Sequence, residues 1–312
     1  MDAATDPALT PMPRSAGPML TRTSHHTPYP FISPSASPLP PNTIVLITGA
    51  SKGIGRALAI AYTQAGCSGL VLAARGSLSD TEAAVADAAA KEGVPVPKIL
   101  GLGMDVADAD SVAEGAGRVD AAFPEGIDVV VSNAGWLEPE AHIGASDAVE
   151  WARSLSVNLT GHYLVTRTFL PLLTRKTGGL KSVLLMTSIG AHLVLPGMSA
   201  YNIAKLGVCR FGEYVAVEYG PQGVTAIAIH PGGVATEMGN SLPEEKRVHL
   251  VDDAELVAET AVWLSRGGRA WLNGRYVSVQ WDMEELERNK EKVVEGDLLK
   301  VKLSGVEGAL LA

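Results

Sequence analysis

A glycine-rich turn joins a predicted strand to a predicted helix near residue 50. Residues 43–48 form a short β-branched, apolar run typical of a buried strand, and residues 56–65 have the composition of a helix. Between these elements, Gly49, Gly53 and Gly55 allow the backbone to turn sharply and to approach a phosphate group beside the free N–H groups of a helix start. This order of elements predicts a nucleotide-binding loop, although the Gly-x-x-x-Gly-x-Gly spacing is not the commoner one, and a glycine turn without a ligand is the alternative.

Strands and helices continue to alternate along the chain, which predicts an α/β fold. Such alternation implies parallel pairing with right-handed crossovers, and the expected architecture is a Rossmann-type, doubly wound parallel sheet in a single domain, residues 43–280. Ligands bind such sheets at the carboxyl ends of the strands. Further strands are predicted at residues 69–74, 97–104, 127–131, 182–187, 224–229 and 276–279, and further helices at 79–91, 108–121, 146–173, 200–219 and 253–265.

The two ends of the chain differ from this domain. Residues 1–42 contain ten of the 19 prolines and have neither a helical nor a strand period, which predicts a disordered Pro/Ser-rich extension. A mitochondrial transit peptide is an alternative because Arg14 and Arg22 occur among few acids, but proline at this density opposes the amphipathic helix that such a peptide needs. Residues 281–312 are predicted to form a C-terminal helical tail, and we expect Trp281 to dock it on the domain, with a position at the border of a substrate pocket as the alternative.

Composition and charge argue against several classes of function. Of the 312 residues, 46% are hydrophobic, so the chain can bury a large core, and the net charge of -9 without a strongly basic run argues against a nucleic acid partner. No apolar run reaches the ~18 residues that span a bilayer, and no secretory signal is recognisable, which predicts a cytoplasmic protein without a membrane partner. Cys67 and Cys209 predict no disulfide framework, and no His, Cys or carboxylate set has metal spacing, so no metal is expected.

Tyr201 and Lys205 stand four residues apart in a segment predicted to be helical. Residues with this spacing lie on the same helix face, so the hydroxyl and the ammonium point the same way. A free tyrosine has a pKa of about 10, and a fixed positive charge nearby favours the phenolate and lowers that pKa. The pair is therefore a candidate proton donor and acceptor. A surface tyrosine beside a solvated lysine is the alternative for this spacing alone.

Seven short motifs, in order and at the right spacing, resemble those of the classical short-chain dehydrogenase/reductase family. Each is weak alone, and the C-terminal tail adds a likeness to fungal members. Where the family commonly ends near Asp-Gly-Gly, this chain instead reads Gln280-Trp281-Asp282. The matching motifs are Thr48-Gly-Ala-Ser-Lys-Gly-Ile-Gly55, Asp105-Val106, Asn133-Ala-Gly135, Asn158, Ser188, Tyr201-x-x-x-Lys205 and Pro231-Gly232.

This resemblance implies an oxidoreductase that transfers a hydride between a nicotinamide cofactor and a carbonyl or secondary alcohol. Tyr201 would be the catalytic acid/base, and Lys205 would lower its pKa and hold the nicotinamide ribose. Ser188 would hydrogen-bond the substrate oxygen, and Asn158 would anchor a water of a proton relay. An epimerase or dehydratase on the same fold, and a non-catalytic NADP-binding sensor or scaffold, are the alternatives. Four intact catalytic positions argue against the sensor.

The resemblance also implies which residues bind the cofactor. Asp105 and the Val106 N–H would meet the adenine, unless Asp105 caps the next helix, and the small residues of 133–135 would let the backbone approach the adenosine. Arg167 lies where the family often has a cation near the cofactor, although a plain surface charge is equally consistent. The expected cofactor-binding residues are Gly49, Ser51, Lys52, Gly53, Ile54, Gly55, Arg75, Asp105, Val106, Asn133, Ala134, Gly135, Arg167, Tyr201, Lys205, Val234 and Thr236.

The end of the second predicted strand bears on the choice between NAD and NADP. A carboxylate there would bind the adenine-ribose 2′-OH and repel a 2′-phosphate, but the strand runs into Arg75 with no acid. The planar guanidinium of Arg75 suits a phosphate, and Lys52 can add a second positive charge from the glycine turn. The sequence therefore predicts NADP(H), with a pair of solvated cations as the alternative.

Two long predicted helices, 150–173 and 200–219, resemble those that form the family's four-helix dimer interface. Small residues such as Ala204, Gly207 and Gly212 would allow close approach of a second copy. The chain is therefore expected to form a homodimer or homotetramer and to act on a small-molecule carbonyl or alcohol.

Overall fold

A parallel sheet of seven strands lies at the centre of the molecule. The computed structural model describes residues 20–36 and 38–303. The strands are ordered β3-β2-β1-β4-β5-β6-β7, all parallel, which confirms the predicted doubly wound, Rossmann-type fold. The strands are β1 (Ile44–Thr48), β2 (Gly69–Ala74), β3 (Lys98–Gly103), β4 (Val129–Ser132), β5 (Ser182–Met186), β6 (Thr225–His230) and β7 (Arg275–Ser278).

The central strands are buried along their whole length. Every residue of β1, β4 and β5 is buried, as expected for a parallel sheet that is covered on both faces. Val45 pairs with Leu70 on one side and with Val129 on the other, so the chain order reverses at β1. The connections after β1 and β4 leave the sheet in opposite directions at this point, which opens a crevice at the carboxyl edge.

Helices cover both faces of the sheet. Leu58 of α1, Val85 of α2 and Val262 of α9 lie in one apolar cluster, whereas Val112 of α3 and Phe169 of α5 lie in the other. The helices are α1 (Gly53–Gln64), α2 (Ser79–Glu92), α3 (Ala109–Ala122), α4 (Ala148–Leu155), α5 (Gly161–Arg175), α6 (Ser199–Tyr219), α7 (Glu237–Asn240), α8 (Glu244–Arg247), α9 (Ala254–Ser265), α10 (Met283–Arg288) and α11 (Lys290–Glu295).

The segment predicted as one helix over 146–173 contains a wider turn. Helix α4 ends at Leu155, residues Ser156–Thr160 form a π-turn, and α5 then continues through Pro171 to Arg175. An apolar period near 3.6 does not reveal such a turn, because a π-turn adds one residue without ending the helix. The extra residue changes which way the side chains of this segment face, and Asn158 within it is fully buried.

The prediction of a disordered N-terminal extension is wrong for the part of residues 1–42 that the structure describes. Ser24 forms an antiparallel bridge with Trp281, and the Leu39 N–H donates to the carbonyl oxygen of Ala65 at 2.8 Å. Ile32 is completely buried in the core. Proline prevents regular pairing here, but scattered apolar side chains still anchor an irregular segment to the domain. Residues 1–19 and 37 lie outside the described residues.

The C-terminal tail packs on the domain through two short helices. Leu286 of α10 and Val293 of α11 are fully buried. Trp281 is buried edge-on against the ring of Tyr276, with 5.9 Å between ring centroids, and so docks the tail as expected. The Tyr276 N–H donates to the carbonyl oxygen of Leu299 at 2.8 Å, so the tail also covers part of the open edge of β7. Residues 304–312 lie outside the described residues.

Candidate active site

Ser188, Tyr201 and Lys205 meet at the carboxyl edge of β5. Ser188 follows this strand by two residues, and its side chain hydrogen-bonds Tyr201. Tyr201 lies in the first turn of α6 and Lys205 in the second, with the Lys205 Nζ 5.5 Å from the centroid of the Tyr201 ring. The Thr187 hydroxyl donates to the Lys205 carbonyl oxygen at 2.7 Å and so fixes α6 to the strand end. The predicted spacing therefore brings the three side chains together.

Lys205 is deeply buried. It is 3% exposed, and its Nζ donates to the carbonyl oxygen of Met186 at 2.8 Å. Burial lowers the pKa of Lys205 to about 7, because the cation loses hydration that a single carbonyl only partly replaces. The remaining N–H donors of the ammonium are available to hydroxyl groups of a ligand at this edge of the sheet.

The pKa of Tyr201 differs in direction from the sequence expectation. Burial raises this pKa above its ordinary value, the hydrogen bond with Ser188 lowers it, and the negative charge of Glu138 raises it again. The expected lowering by Lys205 does not dominate, because removing the phenolate from water costs more than the neighbouring groups return. At neutral pH the Tyr201 hydroxyl is therefore protonated and can act as an acid.

Asn158 is held rigidly by its neighbours. Its Oδ1 accepts a hydrogen bond from the Trp136 N–H at 3.1 Å, and its Nδ2 donates to the carbonyl oxygens of Trp136 and Ser154. The side chain thus joins the π-turn to the loop that follows β4. This anchoring accounts for its burial, while the predicted water relay towards Lys205 stays a prediction.

Two residues of this network were missed by the sequence reasoning. Glu138, in the loop after β4, accepts hydrogen bonds from the Tyr201 N–H at 2.9 Å and from the Ser154 hydroxyl at 2.6 Å. For Glu138, a carboxylate near the Asn-Ala-Gly motif does not by itself indicate a functional residue. For Ser154, the sequence shows only that it precedes Asn158 by one helical turn, on the same helix face. That spacing was the only available hint.

The turn between β1 and α1 has the form of a phosphate cradle. No described side chain caps the start of α1, so the N–H groups of its first turn are free to bind an anion. Gly53 has a φ of +53°, a conformation that residues with a Cβ rarely adopt, and a Cβ there would also lie 3.0 Å from the Thr236 methyl group. Ile54 is the next residue of this turn, and the carbonyl oxygen of Ser51 accepts hydrogen bonds from Arg56 and Thr81. The residues present therefore fit a dinucleotide.

The Asn-Ala-Gly motif after β4 supports this turn from the side. The Asn133 N–H and the Ala134 N–H both donate to the Thr48 hydroxyl, at 2.9 and 3.1 Å, and the Asn133 side chain donates to the Thr48 carbonyl oxygen. A Cβ on Gly49 would lie 3.0 Å from Ala134, and one on Gly135 would lie 3.2 Å from the Asn158 Oδ1. Small residues are therefore required here because the segments that follow β1 and β4 pack closely against each other.

The residues expected around the adenosine lie beyond β2 and β3. Arg75 is exposed, with its guanidinium 4.0 Å from the Asp105 carboxylate. The Asp105 Oδ1 accepts from the Ala107 N–H, whereas Asp108 is the residue that caps α3. Val106 is buried against the start of α5. The second oxygen, Oδ2, is the one that lies 4.0 Å from the Arg75 guanidinium.

The segment after β6 approaches the glycine turn from the other side. Lys52 forms an exposed ion pair with Glu237, and the Thr236 side chain caps the short helix α7. Val234 forms a parallel bridge with Asp252. Arg167 is exposed on α5, on the same face as Tyr163, and its predicted contact with the cofactor stays a prediction.

Two histidines near the site, the buried His230 and the exposed His192, contact neighbouring protein groups. The His230 Nδ1 accepts a hydrogen bond from the Ile189 N–H, and burial lowers the pKa of His230 to about 3. His192 packs edge-on against Tyr276, with 4.7 Å between ring centroids. Within the described residues, no three His, Cys, Asp or Glu side chains are grouped as metal ligands would be. None of the helices in residues 20–36 and 38–303 has both the length and the hydropathy of a membrane span.

A cavity of 180 Å³ opens beside the start of α6. Glu138, Trp151, Gly197 and Ser199 are among the residues that line it, but neither Ser188 nor Tyr201 does. The position of a substrate is therefore inferred from the two hydroxyl groups and not from this cavity.

The chain is similar to known proteins over most of its length. The family model described as short chain dehydrogenase matches residues 43–247. The short chain dehydrogenase mpl6 of Monascus purpureus is 47% identical over 291 residues, which cover 93% of this chain and 98% of that protein. The short chain dehydrogenase pigC of Monascus ruber is 41% identical, covering 91% of this chain and 93% of that protein.

Solved structures share the fold. Levodione reductase superposes with a TM-score of 0.69 at 27% identity, covering 77% of this chain and 96% of that one. Carveol dehydrogenase from Mycobacterium avium, solved in complex with NAD, superposes with a TM-score of 0.67 at 21% identity, covering 76% and 95%. At that identity the second likeness concerns the fold alone. Because the family model matches more than half of the chain and fungal relatives align along nearly all of it, the chain belongs to the short-chain dehydrogenase/reductase family of oxidoreductases, as a fungal-type classical member.

Proposed function

We propose that the protein is an NADP(H)-dependent reductase of a carbonyl compound, and catalyses the reverse oxidation of the alcohol. The observation that carries this proposal is the convergence of Ser188, Tyr201 and Lys205 at one strand end, next to an uncapped helix start with a glycine turn. A protonated, partly buried Tyr201 beside a hydroxyl donor matches what reduction of a carbonyl requires, an acid within reach of the developing oxyanion.

The side chains divide the chemistry between them. The nicotinamide cofactor, when bound, supplies the hydride that is added to the carbonyl carbon. Ser188 would donate a hydrogen bond to the carbonyl oxygen, and Tyr201 would transfer its phenolic proton to that oxygen and become a phenolate. Lys205, when protonated, would stabilise that phenolate and hold hydroxyl groups of the cofactor ribose. Holding these groups in one geometry removes much of the entropic cost of bringing them together.

The preference for NADP(H) over NAD(H) is part of the proposal. Support comes from Arg75 at the end of β2 and Lys52 in the glycine turn, whose side chains are 58% and 62% exposed at the same edge of the sheet. A 2′-phosphate there would meet two cations and would displace only weak, solvent-exposed ion pairs with Asp105 and Glu237. Tighter binding of NADH than of NADPH would contradict this part.

The decisive experiment is cofactor oxidation by the purified protein in the presence of a panel of ketones, aldehydes and quinones. We expect turnover with NADPH, and a loss of about 10²–10⁴-fold in the Tyr201→Phe variant, because general acid catalysis contributes that much. The variant should still bind NADPH, which fluorescence titration checks. An unchanged rate in Tyr201→Phe would contradict the mechanism, and NADPH binding without turnover would favour a sensor.

The proposal extends to assembly and compartment. Exposed apolar side chains on α5 and α6, among them Tyr163, Tyr214 and Val217, would be covered by a second copy in a homodimer or homotetramer. Both cysteines, Cys67 and Cys209, are unpaired, which suits the cytoplasm. A strictly monomeric mass in solution would contradict the first statement, and localisation of a tagged protein tests the second.

A further inference from the structure

Glu138 is a buried carboxylate beside the start of the helix that carries Tyr201. It is 8% exposed and follows the Asn-Ala-Gly motif by three residues. Within the part of the chain that the structure describes, no lysine or arginine nitrogen lies within 4.0 Å of its oxygens. Burying a carboxylate without a cation is costly unless hydrogen bonds replace its hydration. The partners of this side chain therefore indicate why it lies there.

One carboxylate oxygen caps helix α6. The Tyr201 N–H donates to Oε1 at 2.9 Å, whereas Met198, which precedes the helix, provides no side-chain cap. The N–H groups of a first helical turn carry partial positive charge, and α6 is 21 residues long, so its start is a favourable place for a negative charge. The hydrogen bond is made to the backbone of the catalytic residue itself. Glu138 therefore fixes the turn from which the Tyr201 ring projects.

The other oxygen connects this turn to Asn158. The Ser154 hydroxyl donates to the Glu138 Oε2 at 2.6 Å, so the Ser154 oxygen is left as an acceptor for the Asn158 Nδ2 at 3.2 Å. A carboxylate can only accept here, which sets the direction of both hydrogen bonds. The direction in turn fixes which end of the Asn158 amide faces Ser154. The Glu138 side chain thus acts on two of the four predicted catalytic residues: on Tyr201 through its backbone N–H and on Asn158 through Ser154.

We propose that Glu138 is a positioning residue for catalysis, which holds the Tyr201 turn through its backbone N–H and orients the Asn158 amide through Ser154. The proposal rests on the proposed reductase function, because positioning has meaning only for a reaction at Tyr201. It adds a residue that acts through others and does not touch the reacting atoms.

The charge of Glu138 has a consequence besides geometry. The titratable groups that face Tyr201 are Glu138, from the loop after β4, and Lys205, on its own helix; His162 of α5 and Cys209 of α6 face Lys205. Glu138 is among the causes that raise the pKa of Tyr201. Removing its charge while keeping its shape therefore lowers that pKa. A cap whose charge does not reach the Tyr201 hydroxyl would change the stability of the protein and the rate, but not this titration.

The test compares Glu138→Gln with Ser154→Ala in the full-length protein. Reduction needs protonated Tyr201, so its rate falls as pH rises through the pKa of this group. In Glu138→Gln we expect kcat to fall on the order of tenfold, because small displacements of catalytic groups have effects of this size or larger. We also expect the midpoint of the pH profile to move to lower pH. Ser154→Ala keeps the carboxylate, so its kcat should fall while its midpoint stays.

A matched control is Asp108→Asn, which neutralises the carboxylate that caps α3 through the N–H groups of Asp110 and Ser111. We expect its kcat and its midpoint to equal those of the wild type. Wild-type kcat in both Glu138→Gln and Ser154→Ala would overturn the proposal, and so would a slower Glu138→Gln enzyme with an unmoved midpoint. If Glu138→Gln does not fold, an unchanged kcat in Ser154→Ala overturns it alone.

A second readout needs no substrate. The ultraviolet absorbance of tyrosinate is titrated in the wild type and in Tyr201→Phe, and the difference isolates Tyr201. Glu138→Gln should shift this titration to lower pH. A shift without any turnover of carbonyl compounds would refute the reductase function and leave the contact between Glu138 and Tyr201 standing. Turnover without a shift would refute the proposal about Glu138 and leave the reductase function intact.

Discussion

At the residue scale, the direction of the Tyr201 pKa bears on the direction of the reaction. Burial and Glu138 both raise this pKa, so the phenol keeps its proton at neutral pH. A protonated phenol is ready to donate to a carbonyl oxygen, whereas oxidation of an alcohol must begin from the phenolate and gains from higher pH. Lys205, with its pKa lowered to about 7, adds a positive charge mainly below that pH. If the proposed function holds, we therefore expect reduction to be favoured in neutral and mildly acidic conditions.

Arg75 provides a prediction about cofactor choice at the same scale. Arg75→Ala should raise the KM for NADPH by about tenfold to a hundredfold, because a hydrogen bond to a charged group contributes about 1.5–3 kcal/mol. The KM for NADH should change little, since that cofactor has no 2′-phosphate. Steady-state kinetics with both cofactors measures the ratio. Arg118→Ala is the control, because this arginine is also exposed but donates to the carbonyl oxygen of Gly101. An equal effect on both cofactors would contradict the role of Arg75.

Residues differ in how far the sequence predicts them. Tyr201 and Lys205 were predictable because their spacing and the helix composition are local. Ser188 was predictable because a strand end fixes its place at the edge of the sheet. Glu138 was not, since its importance depends on three segments that meet only in the folded chain: the loop after β4, the turn before the π-turn and the start of α6. The pKa of Tyr201 also depends on burial, which a four-residue spacing does not report.

At the scale of elements, the turn between β1 and α1 joins the phosphate cradle to the core. Its glycines are needed for close packing, besides the cofactor binding that we propose for this turn. A Cβ on Gly55 would lie 2.1 Å from the carbonyl oxygen of Gly49, which is backbone and cannot move aside. This contact lies inside the turn, so any adjustment would also displace the N–H groups at the start of α1. Stability and cofactor affinity are therefore coupled in this element.

Gly55→Ala should accordingly lower the free energy of unfolding by about 1–3 kcal/mol and weaken NADPH binding, since overpacking at a rigid site has costs of this size. Urea denaturation and cofactor titration measure the two effects. Gly117→Ala in α3 is the matched control, because nothing lies within 4 Å of a Cβ there. In a helix, alanine is about 0.5–1 kcal/mol more favourable than glycine, so this control should become slightly more stable. A Gly55→Ala protein as stable as Gly117→Ala would refute the argument.

The elements themselves were largely predictable, and the exception is physical. All seven strands were expected near their observed places, and the fully buried β1, β4 and β5 were the clearest, because buried parallel strands are largely continuous apolar runs. The π-turn at Ser156–Thr160 was not, since its hydrogen-bond pattern depends on contacts of Asn158 with Trp136 and Ser154. Its sequence looks like ordinary helix. Local composition therefore located the segment but not the turn that orients Asn158.

At the scale of the whole molecule, the N-terminal segment and the residues just after β7 both contact the loop after β6. His26 hydrogen-bonds the buried Asp252 at 2.6 Å, and the same carboxylate accepts from the Gly233 N–H at 2.6 Å and from Gln280 at 2.9 Å. Gly233 precedes Val234, one of the predicted cofactor contacts. His26 of the N-terminal segment and Gln280 after β7 thus brace the loop after β6, although the proline content of residues 1–42 gave no sign of it.

This bracing leads to a prediction about Ile32, which is fully buried in the core although it lies in the proline-rich segment. Ile32→Ala should lower the free energy of unfolding by about 2–5 kcal/mol, the usual cost of truncating a large aliphatic side chain in a packed core. A disordered extension would show no effect, because its side chains lose nothing on truncation. Urea denaturation measures the change, and Val96→Ala, at an exposed valine, should stay within about 0.5 kcal/mol of the wild type. Equal stability of the two variants would mean that the segment does not dock in solution, and the loop after β6 would then lack the support of His26.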